Sequence, residues 1–273
     1  MIGRSLHWDE AWGKFSTAEW IGSGIFGAVA AAFALVGPLG DTPWTGGLGG
    51  AEGVDEKVRD ALRAKSLEAR FRARDISDVM LSSIVAYPFI DALLVAGWLR
   101  RSPEVAQQMA LIDMQVYAVT LGTLSVFKSI GHRERPYGRI CGDERPDDAR
   151  DCDSRDRYFS FFSGHTAMSF AAASVNCSHH IHLGLYGSKA ADVLSCVTGF
   201  AVASGTGVMR MVGDQHYFSD VVIGAAVGTV IGFGLPWLLH YRHQPQKAQD
   251  VPPRAASLQI VPMGLGAGLV GQF

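Results

Sequence analysis

The sequence predicts an all-α fold, a bundle of six transmembrane helices with an amphipathic interfacial helix between the first and second spans. The strongest observation is that Asp, Glu, Lys and Arg are all absent from 20–40 and from 221–241. A helix needs roughly 20 residues to cross a bilayer, and each run is long enough. Four weaker apolar blocks lie between these runs, at 79–99, 105–127, 165–185 and 193–209.

Isolated acidic residues interrupt two of the weaker blocks, at Asp91 and Asp113. Such residues persist in a span when they face the bundle interior, so we expect both to bond polar groups there. Core helices of a soluble bundle are the alternative. A secretory signal peptide is the alternative for the first block, but Asp9, Glu10 and Glu19 precede it, where such a peptide is basic.

The connector at 53–75 mixes basic and acidic residues, while Val54, Val58, Ala61 and Leu62 recur at helical spacing. This pattern is typical of an amphipathic helix on a membrane surface. A solvated helical connector is the alternative, because charge runs are common on exposed faces.

The chain divides into an N-terminal segment (1–19), a membrane domain (20–243) and a Pro- and Gly-rich tail (244–273). With a formal net charge of -2, nothing in the whole chain favours nucleic acid as a partner. The four cysteines form no C-x-x-C pair, which argues against a structural zinc site. Cys177 and Cys196 lie in apolar blocks, where we expect inert burial.

The last apolar block predicts tight helix packing. Gly224, Gly228 and Gly232 fall on one helical face, so a neighbouring backbone can approach closely. Pro236, near the end of the block, should kink the helix or mark where it frays.

Three polar clusters stand at the ends of apolar blocks. The first has Lys128, then six residues, then Arg135 followed by proline. A point charge and a bidentate fork suit a dianionic phosphate. Taken alone the pattern is weak, because basic residues beside a membrane span are ordinary.

The second cluster is Ser163-Gly164-His165, at the start of the fourth block. Serine is a good N-cap, the first N–H groups of a helix form an anion site, and glycine lets a ligand approach the backbone. Taken alone, the pattern predicts only a cap.

The third cluster has Arg210, then five residues, then His216, then three residues, then Asp220. If the pair is helical, the i, i+4 spacing lets Asp220 accept a hydrogen bond from one ring nitrogen of His216 and aim the other. In antiparallel neighbouring helices all three clusters fall on one side of the membrane, so we expect them to share a pocket.

In order, spacing and relation to helices, these clusters resemble the three-part motif of the type 2 phosphatidic acid phosphatase and vanadium haloperoxidase superfamily, and particularly its membrane lipid phosphatases. The resemblance covers roughly 76–241. It implies that His216 attacks phosphorus, that Asp220 holds its tautomer, and that His165 donates the proton to the leaving group. The phosphate ligands that it implies are Lys128, Arg135, Ser163, Gly164 and Arg210.

Two positions depart from the family pattern, which usually has proline where Phe162 stands and serine where Met209 stands. Phe162 can alter the shape of the pocket, and Met209 removes a hydroxyl contact. Beside the first motif, we interpret His132, Arg133 and Arg139 as solvated loop charge rather than as further ligands.

The site needs no cofactor in this interpretation. No acidic cluster predicts a magnesium site, and the basic residues already supply positive charge. The histidines at 179, 180 and 182 have no acidic companion nearby in the sequence, so we interpret them as an interfacial helix end.

Basic residues in the short loops and the tail favour cytoplasmic termini, which places the site on the periplasmic face of a bacterial cytoplasmic membrane. That compartment permits a Cys141–Cys152 disulfide without demanding one.

We expect the partners to be the bilayer and a lipid phosphate or isoprenoid diphosphate. The alternatives are a soluble acid phosphatase or haloperoxidase-like enzyme, a lipid phosphotransferase, and a noncatalytic membrane protein that binds lipid headgroups.

Overall fold

The computed structural model describes residues 4–40, 42–141, 150–242, 257–263 and 266–272. Its helices are α1 (Thr17–Val36), α2 (Val54–Leu62), α3 (Leu67–Ile90), α4 (Pro103–Gly131), α5 (Arg150–Asp153), α6 (Gly164–Leu183), α7 (Lys189–Val212) and α8 (Phe218–Pro236). Short 3₁₀ turns lie at Gly50–Glu52, Pro136–Ile140 and Arg155–Tyr158.

Five helical stretches in the described residues are long and apolar enough to cross a membrane. They are Thr17–Val36, Leu67–Leu99, Pro103–Gly131, Lys189–Val212 and Phe218–Tyr241. The predicted all-α class of the bundle is therefore confirmed, and the described residues hold five candidate spans where the sequence predicts six. The remaining long helix, α6, lies at the centre and packs against α3, α4, α7 and α8. Its buried face is rich in Ser, Thr, Asn and His.

Two helices widen into π-helix shortly after a proline. Pro88 lies inside α3, which continues as a π-helix over Asp91–Leu99, and Pro236 ends α8, which continues over Trp237–Tyr241. Proline has no N–H to complete the usual helical hydrogen bond, and a widened turn accommodates that loss. The irregularity expected at Pro236 is thus a π segment.

The predicted close packing of α8 is present, and its neighbour is α6. A methyl group added to Gly228 would lie 2.1 Å from the backbone oxygen of Ala167. One added to Gly224 would lie 2.7 Å from the oxygen of Ser163, and one added to Gly232 would lie 2.5 Å from that of Ala171. The backbones of α6 and α8 therefore touch, which fixes the start of α8 against the start of α6.

The bundle end opposite the start of α6 holds a buried polar network. Our interpretation of the histidines at 179, 180 and 182 as an interfacial helix end was therefore wrong. His180 lies between two carboxylates, with Nδ1 2.7 Å from Asp192 and Nε2 3.1 Å from Asp91. His179 Nε2 lies 3.1 Å from Asp113. The interior role expected for Asp91 and Asp113 is confirmed. Their histidine partners are far away in sequence, which is why the cluster looked isolated.

Both cysteine pairs are oxidised. Cys141 is bonded to Cys152, and Cys177 in α6 is bonded to Cys196 in α7. The expectation of inert burial for Cys177 and Cys196 was therefore wrong. Packing of α6 against α7 brings the two sulfur atoms together, and no sequence spacing reveals such a contact between two helices.

The chain from 53 to 75 is not one helix. It forms α2 and the first turns of α3, and the face of α2 that is buried carries Asp55 and Glu56. Beyond α8, residues 244–256 of the predicted tail lie outside the described residues. The strands β1 (Ser257–Met263) and β2 (Gly266–Gln272) pair antiparallel, with Ser257 opposite Gln272. The sequence analysis did not predict this hairpin.

The backbone contact between α6 and α8 predicts that Gly228→Ala destabilises the protein. The added methyl group must push the two helices apart, and overpacking of this kind costs about 1–3 kcal/mol. Gly234→Ala is the matched control, because a methyl group there meets nothing within 4 Å. We expect a lower midpoint of thermal unfolding in detergent for Gly228→Ala alone. Equal midpoints for the two variants would contradict the packing.

Candidate active site

The three polar clusters meet at one end of the bundle, as the sequence analysis expected. The backbone N–H of Ser163, just before α6, donates to the oxygen of Asp220 in α8 at 3.0 Å. Arg135 and Arg210 both donate to the Oε1 atom of Gln215, at 3.2 and 3.3 Å. Side chains from α4, the following loop, α6, α7 and α8 therefore surround one small volume.

His216 is buried and oriented by the backbone. Its Nδ1 lies 2.9 Å from the carbonyl oxygen of Ser160. A carbonyl oxygen only accepts, so Nδ1 carries the proton and Nε2 of the neutral ring keeps its lone pair. Nε2 lies 3.3 Å from Nη1 of Arg135. Because a guanidinium only donates, the Nε2 lone pair accepts a hydrogen bond from this cation.

The geometry between Asp220 and His216 differs from the expected i, i+4 stack. His216 lies before the helix, because Tyr217 is the N-cap and α8 begins at Phe218. The Oδ2 atom of Asp220 is 3.8 Å from Nδ1 of His216, too far for a hydrogen bond. It instead accepts from Oγ of Ser160 at 2.6 Å and from the N–H of Tyr217 at 3.0 Å. Asp220 therefore reaches His216 through Ser160.

Three cations surround Nε2 of His216. Arg135 donates through Nε to the oxygen of Asp156 at 2.7 Å, which holds its guanidinium in place. Arg210 donates to Oγ of Ser77 at 3.3 Å, and its buried Nε has no hydrogen-bond partner among the described residues. Lys128 lies beside the start of α6, since a methyl group added to Gly164 would be 3.5 Å from its Nζ.

This environment keeps the His216 ring neutral. Burial lowers the pKa of His216 well below its ordinary value of 6.5, and the charges of Arg135, Arg210 and Lys128 lower it further. A neutral ring can use the lone pair of Nε2 to attack an electrophile. The fixed cations nearby can bind anionic oxygens attached to that electrophile.

The second cluster lies at the N-terminus of α6. Ser163 is its N-cap, and Oγ accepts from the hydroxyl of Thr166 at 2.9 Å. The Ser163 hydroxyl proton therefore remains able to donate to a ligand. His165 lies at the site edge, with Nε2 2.7 Å from Oδ1 of Asp78. Asp78 is half-exposed, so this edge is open to the surroundings.

Arg133 is not a solvated loop charge, and our interpretation of it was wrong. Its side chain is completely buried, with Nη1 2.5 Å from Oδ1 of Asp220 and Nη2 2.8 Å from Oδ2 of Asp55. The rings of Trp44 and Tyr217 lie 4.1 and 4.3 Å from its guanidinium carbon. The charge was misread because both carboxylates are distant in sequence.

Helix α2 lies over the site through further ion pairs. Arg59 donates to both carboxylate oxygens of Asp214, two residues before His216, at 2.7 and 2.9 Å. Arg139, which we had also interpreted as solvated, pairs with Glu56 of α2. Burial alone would raise the pKa of Asp55, but hydrogen bonds from Leu48, Arg133 and Ser219 outweigh it and hold the pKa below its ordinary value. Asp55 is therefore ionised and pairs with Arg133.

Phe162, at one departure from the family pattern, is buried beside Leu124 and Ala167 under the start of α6. Four further residues at the site were not predicted from the sequence, namely Ser160, Gln215, Asp55 and Asp78. Gln215 could have been noticed as the neighbour of His216. Asp55 and Asp78 gave no signal, because only the folded chain brings them to the site.

Comparison with known proteins agrees with this geometry. Residues 111–244 match the PAP2 superfamily. A lipid A 1-phosphatase of Porphyromonas gingivalis is 45% identical over 73 residues, which are 27% of this chain and 15% of that protein. The chain thus covers only 15% of the length of this relative. No solved structure matches.

The matched region contains every residue of the three motifs, from Lys128 to Asp220. Through residues 111–244, this chain belongs to the PAP2 superfamily.

Proposed function

We propose that this protein is an integral membrane phosphatase that hydrolyses a phosphate monoester or diphosphate of a lipid through a phosphohistidine on His216. One observation carries the proposal. Nε2 of His216 is unprotonated, its lone pair points at Arg135, and the charges of Arg210 and Lys128 also act on the ring. A phosphoryl group bound by these cations would lie directly in front of the nitrogen.

The reaction proceeds in two displacements. Nε2 of His216 attacks phosphorus, the bond from phosphorus to the leaving oxygen breaks, and His165 protonates that oxygen. The neutral His165 then accepts a proton from water, whose oxygen attacks phosphorus and breaks the phosphorus–nitrogen bond. Inorganic phosphate leaves, and both histidines return to their starting states. The contact of His165 with Asp78 supports this role, because a carboxylate orients an imidazole and stabilises its protonated form.

The phosphate ligands supply the electrostatic stabilisation. Lys128, Arg135 and Arg210 hold the equatorial oxygens, with the hydroxyl of Ser163 and the N–H of Gly164 completing the cradle. Because fixed side chains supply the positive charge, the reaction needs no metal cofactor.

The chain crosses the membrane six times in this proposal, with α6 as the central polar span and α2 at the interface. The domain is 20–243, preceded by the segment 1–19 and followed by the tail 244–273. The N-terminal segment packs at the end opposite the site, where the N–H of Gly13 donates to the oxygen of His240 at 3.0 Å. The disulfide Cys141–Cys152 follows the first motif, at the site end. The basic loop residues Arg100, Arg101 and Lys189 lie at the opposite end and favour the cytoplasm for it, so this proposal has the site facing the periplasm of a bacterial cytoplasmic membrane.

The substrate class is a lipid phosphate that approaches the site from the bilayer. Lipid A is the first compound to test, because a lipid A 1-phosphatase is 45% identical to this chain over 73 residues. Phosphatidate, phosphatidylglycerophosphate and undecaprenyl diphosphate complete the panel.

His216→Ala tests the nucleophile. Removing Nε2 leaves no atom that can bond phosphorus, so we expect release of phosphate from the best lipid to fall more than about a thousandfold. His132→Asn is the matched control near the site, because asparagine tolerates the left-handed backbone found there, with φ 38°. Full activity in His216→Ala would remove the proposed mechanism.

Chelation tests the role of the basic side chains. We expect phosphate release to continue after dialysis against EDTA, because Lys128, Arg135 and Arg210 supply the charge that Mg²⁺ supplies elsewhere. Vanadate should inhibit, since it bonds Nε2 in the shape of the transferring phosphoryl group. Loss of turnover in EDTA with recovery in Mg²⁺ would contradict this account.

Arg135→Gln tests the electrostatics of His216. The charge of Arg135 lowers the pKa of His216, so its removal raises that pKa. Only the neutral ring attacks, and the acid limb of kcat/KM should therefore move to higher pH. Arg139→Gln is the control, because Arg139 pairs with Glu56 away from the ring. An unmoved limb in Arg135→Gln, or equal movement in both variants, would contradict the assignment.

A further inference from the structure

We propose that Arg133 and Asp55 are positioning residues for His216, so that α2 completes the active site. This inference rests on the proposed function. Arg133 is one of the six unspecified positions within the first motif. Asp55 lies in α2, and α3 and α4 separate it from Arg133 in the sequence.

Arg133 is buried and held in one orientation. The side chains of Arg133, Asp55 and Asp220 have no exposed area. One guanidinium nitrogen, Nη1, donates to Asp220 and to Oγ of Ser219, at 2.5 and 2.9 Å. The other, Nη2, donates to Asp55 at 2.8 Å. A planar fork held at both tips, with the rings of Trp44 and Tyr217 against it, has a single orientation.

Hydrogen bonds connect Asp220 to His216 through Ser160. Arg133 holds Oδ1 of Asp220, and Oδ2 accepts the hydroxyl of Ser160 at 2.6 Å. The carbonyl oxygen of the same Ser160 fixes Nδ1 of His216 at 2.9 Å. The direction of Nε2 therefore depends on Arg133 through two intervening residues.

Helix α2 contributes Asp55 to this arrangement. Asp55 accepts from the N–H and the hydroxyl of Ser219 at 2.8 and 2.7 Å, and so holds the first turn of α8 as well as Arg133. A buried ion cluster is weak evidence for stability, because desolvation of the charges offsets their attraction. Its contacts lead instead to the residues that orient His216, which favours a role in the reaction.

Arg133→Lys is the test, with Arg157→Lys as the matched control. Lysine keeps the charge but cannot span both carboxylates. Arg157 belongs to the facing loop and donates to Glu134 at 2.7 Å, with no contact to His216 or Asp220 among the described residues. The measurements are kcat, KM, inhibition by inorganic phosphate and inhibition by vanadate.

A displaced nucleophile affects these quantities differently. A misplacement of about 1 Å can lower the rate about a hundredfold, and we expect a fall of that order in kcat for Arg133→Lys. KM and phosphate inhibition should stay near wild type, because Lys128, Arg135 and Arg210 remain in place. Vanadate inhibition should weaken with kcat, since vanadate bonds Nε2. Arg157→Lys should change none of the four.

Asp55→Asn provides a second variant that keeps the shape of the side chain, and we expect the same pattern with a smaller fall in kcat. It decides the question if Arg133→Lys does not elute as a folded protein. Wild-type kcat in the folded variant would overturn the proposal, as would equal weakening of phosphate and vanadate. Either result would leave the phosphatase function standing, because phosphate release by the wild-type protein tests that function and His216→Ala tests its nucleophile.

Discussion

The site depends on one buried interaction, the guanidinium of Arg133 between the carboxylates of Asp55 and Asp220. Transfer of an unpaired charge into a protein interior is prohibitively unfavourable, so each of these groups requires the others in place. The requirement joins three segments that are far apart in sequence: α2, the loop after α4 and the start of α8. Once they are joined, the carbonyl of Ser160 and the ring of His216 have little freedom.

The cations beside this cluster present the opposite situation. Arg135, Arg210 and Lys128 approach one another with few carboxylates among them, and the amide oxygen of Gln215 accepts from both arginines. Mutual repulsion of the three charges is relieved when a dianion enters. In the reaction that we propose, this charge is in place before the substrate binds, which is how preorganised sites stabilise a transition state.

Much of this arrangement could be predicted from the sequence. The uncharged apolar runs predicted the positions of long helices, because the length and hydropathy of a segment determine whether it can cross a bilayer. The three motifs located the site, since they stand at helix ends that antiparallel packing brings together.

The remaining features depend on tertiary contacts that no local pattern records. Arg133 looked solvated because its partners Asp55 and Asp220 lie 78 and 87 residues away. The expected stacking of His216 on Asp220 assumed that both residues are helical, but α8 begins two residues after His216. The disulfide Cys177–Cys196 similarly depends on how α6 faces α7.

The polarity of α6 has a consequence for how the protein reaches the membrane. Ser169, Ser174, Asn176, His179 and His180 are buried in the finished bundle, yet each would face lipid or the translocation channel during synthesis. Insertion of a single helix follows its own hydropathy, and α6 is less apolar than the five candidate spans. In the six-span arrangement that we propose, α6 therefore enters the bilayer together with α7 and α8 and not by itself. The helix that carries His165 at the edge of the site is the one whose biogenesis depends most on its neighbours.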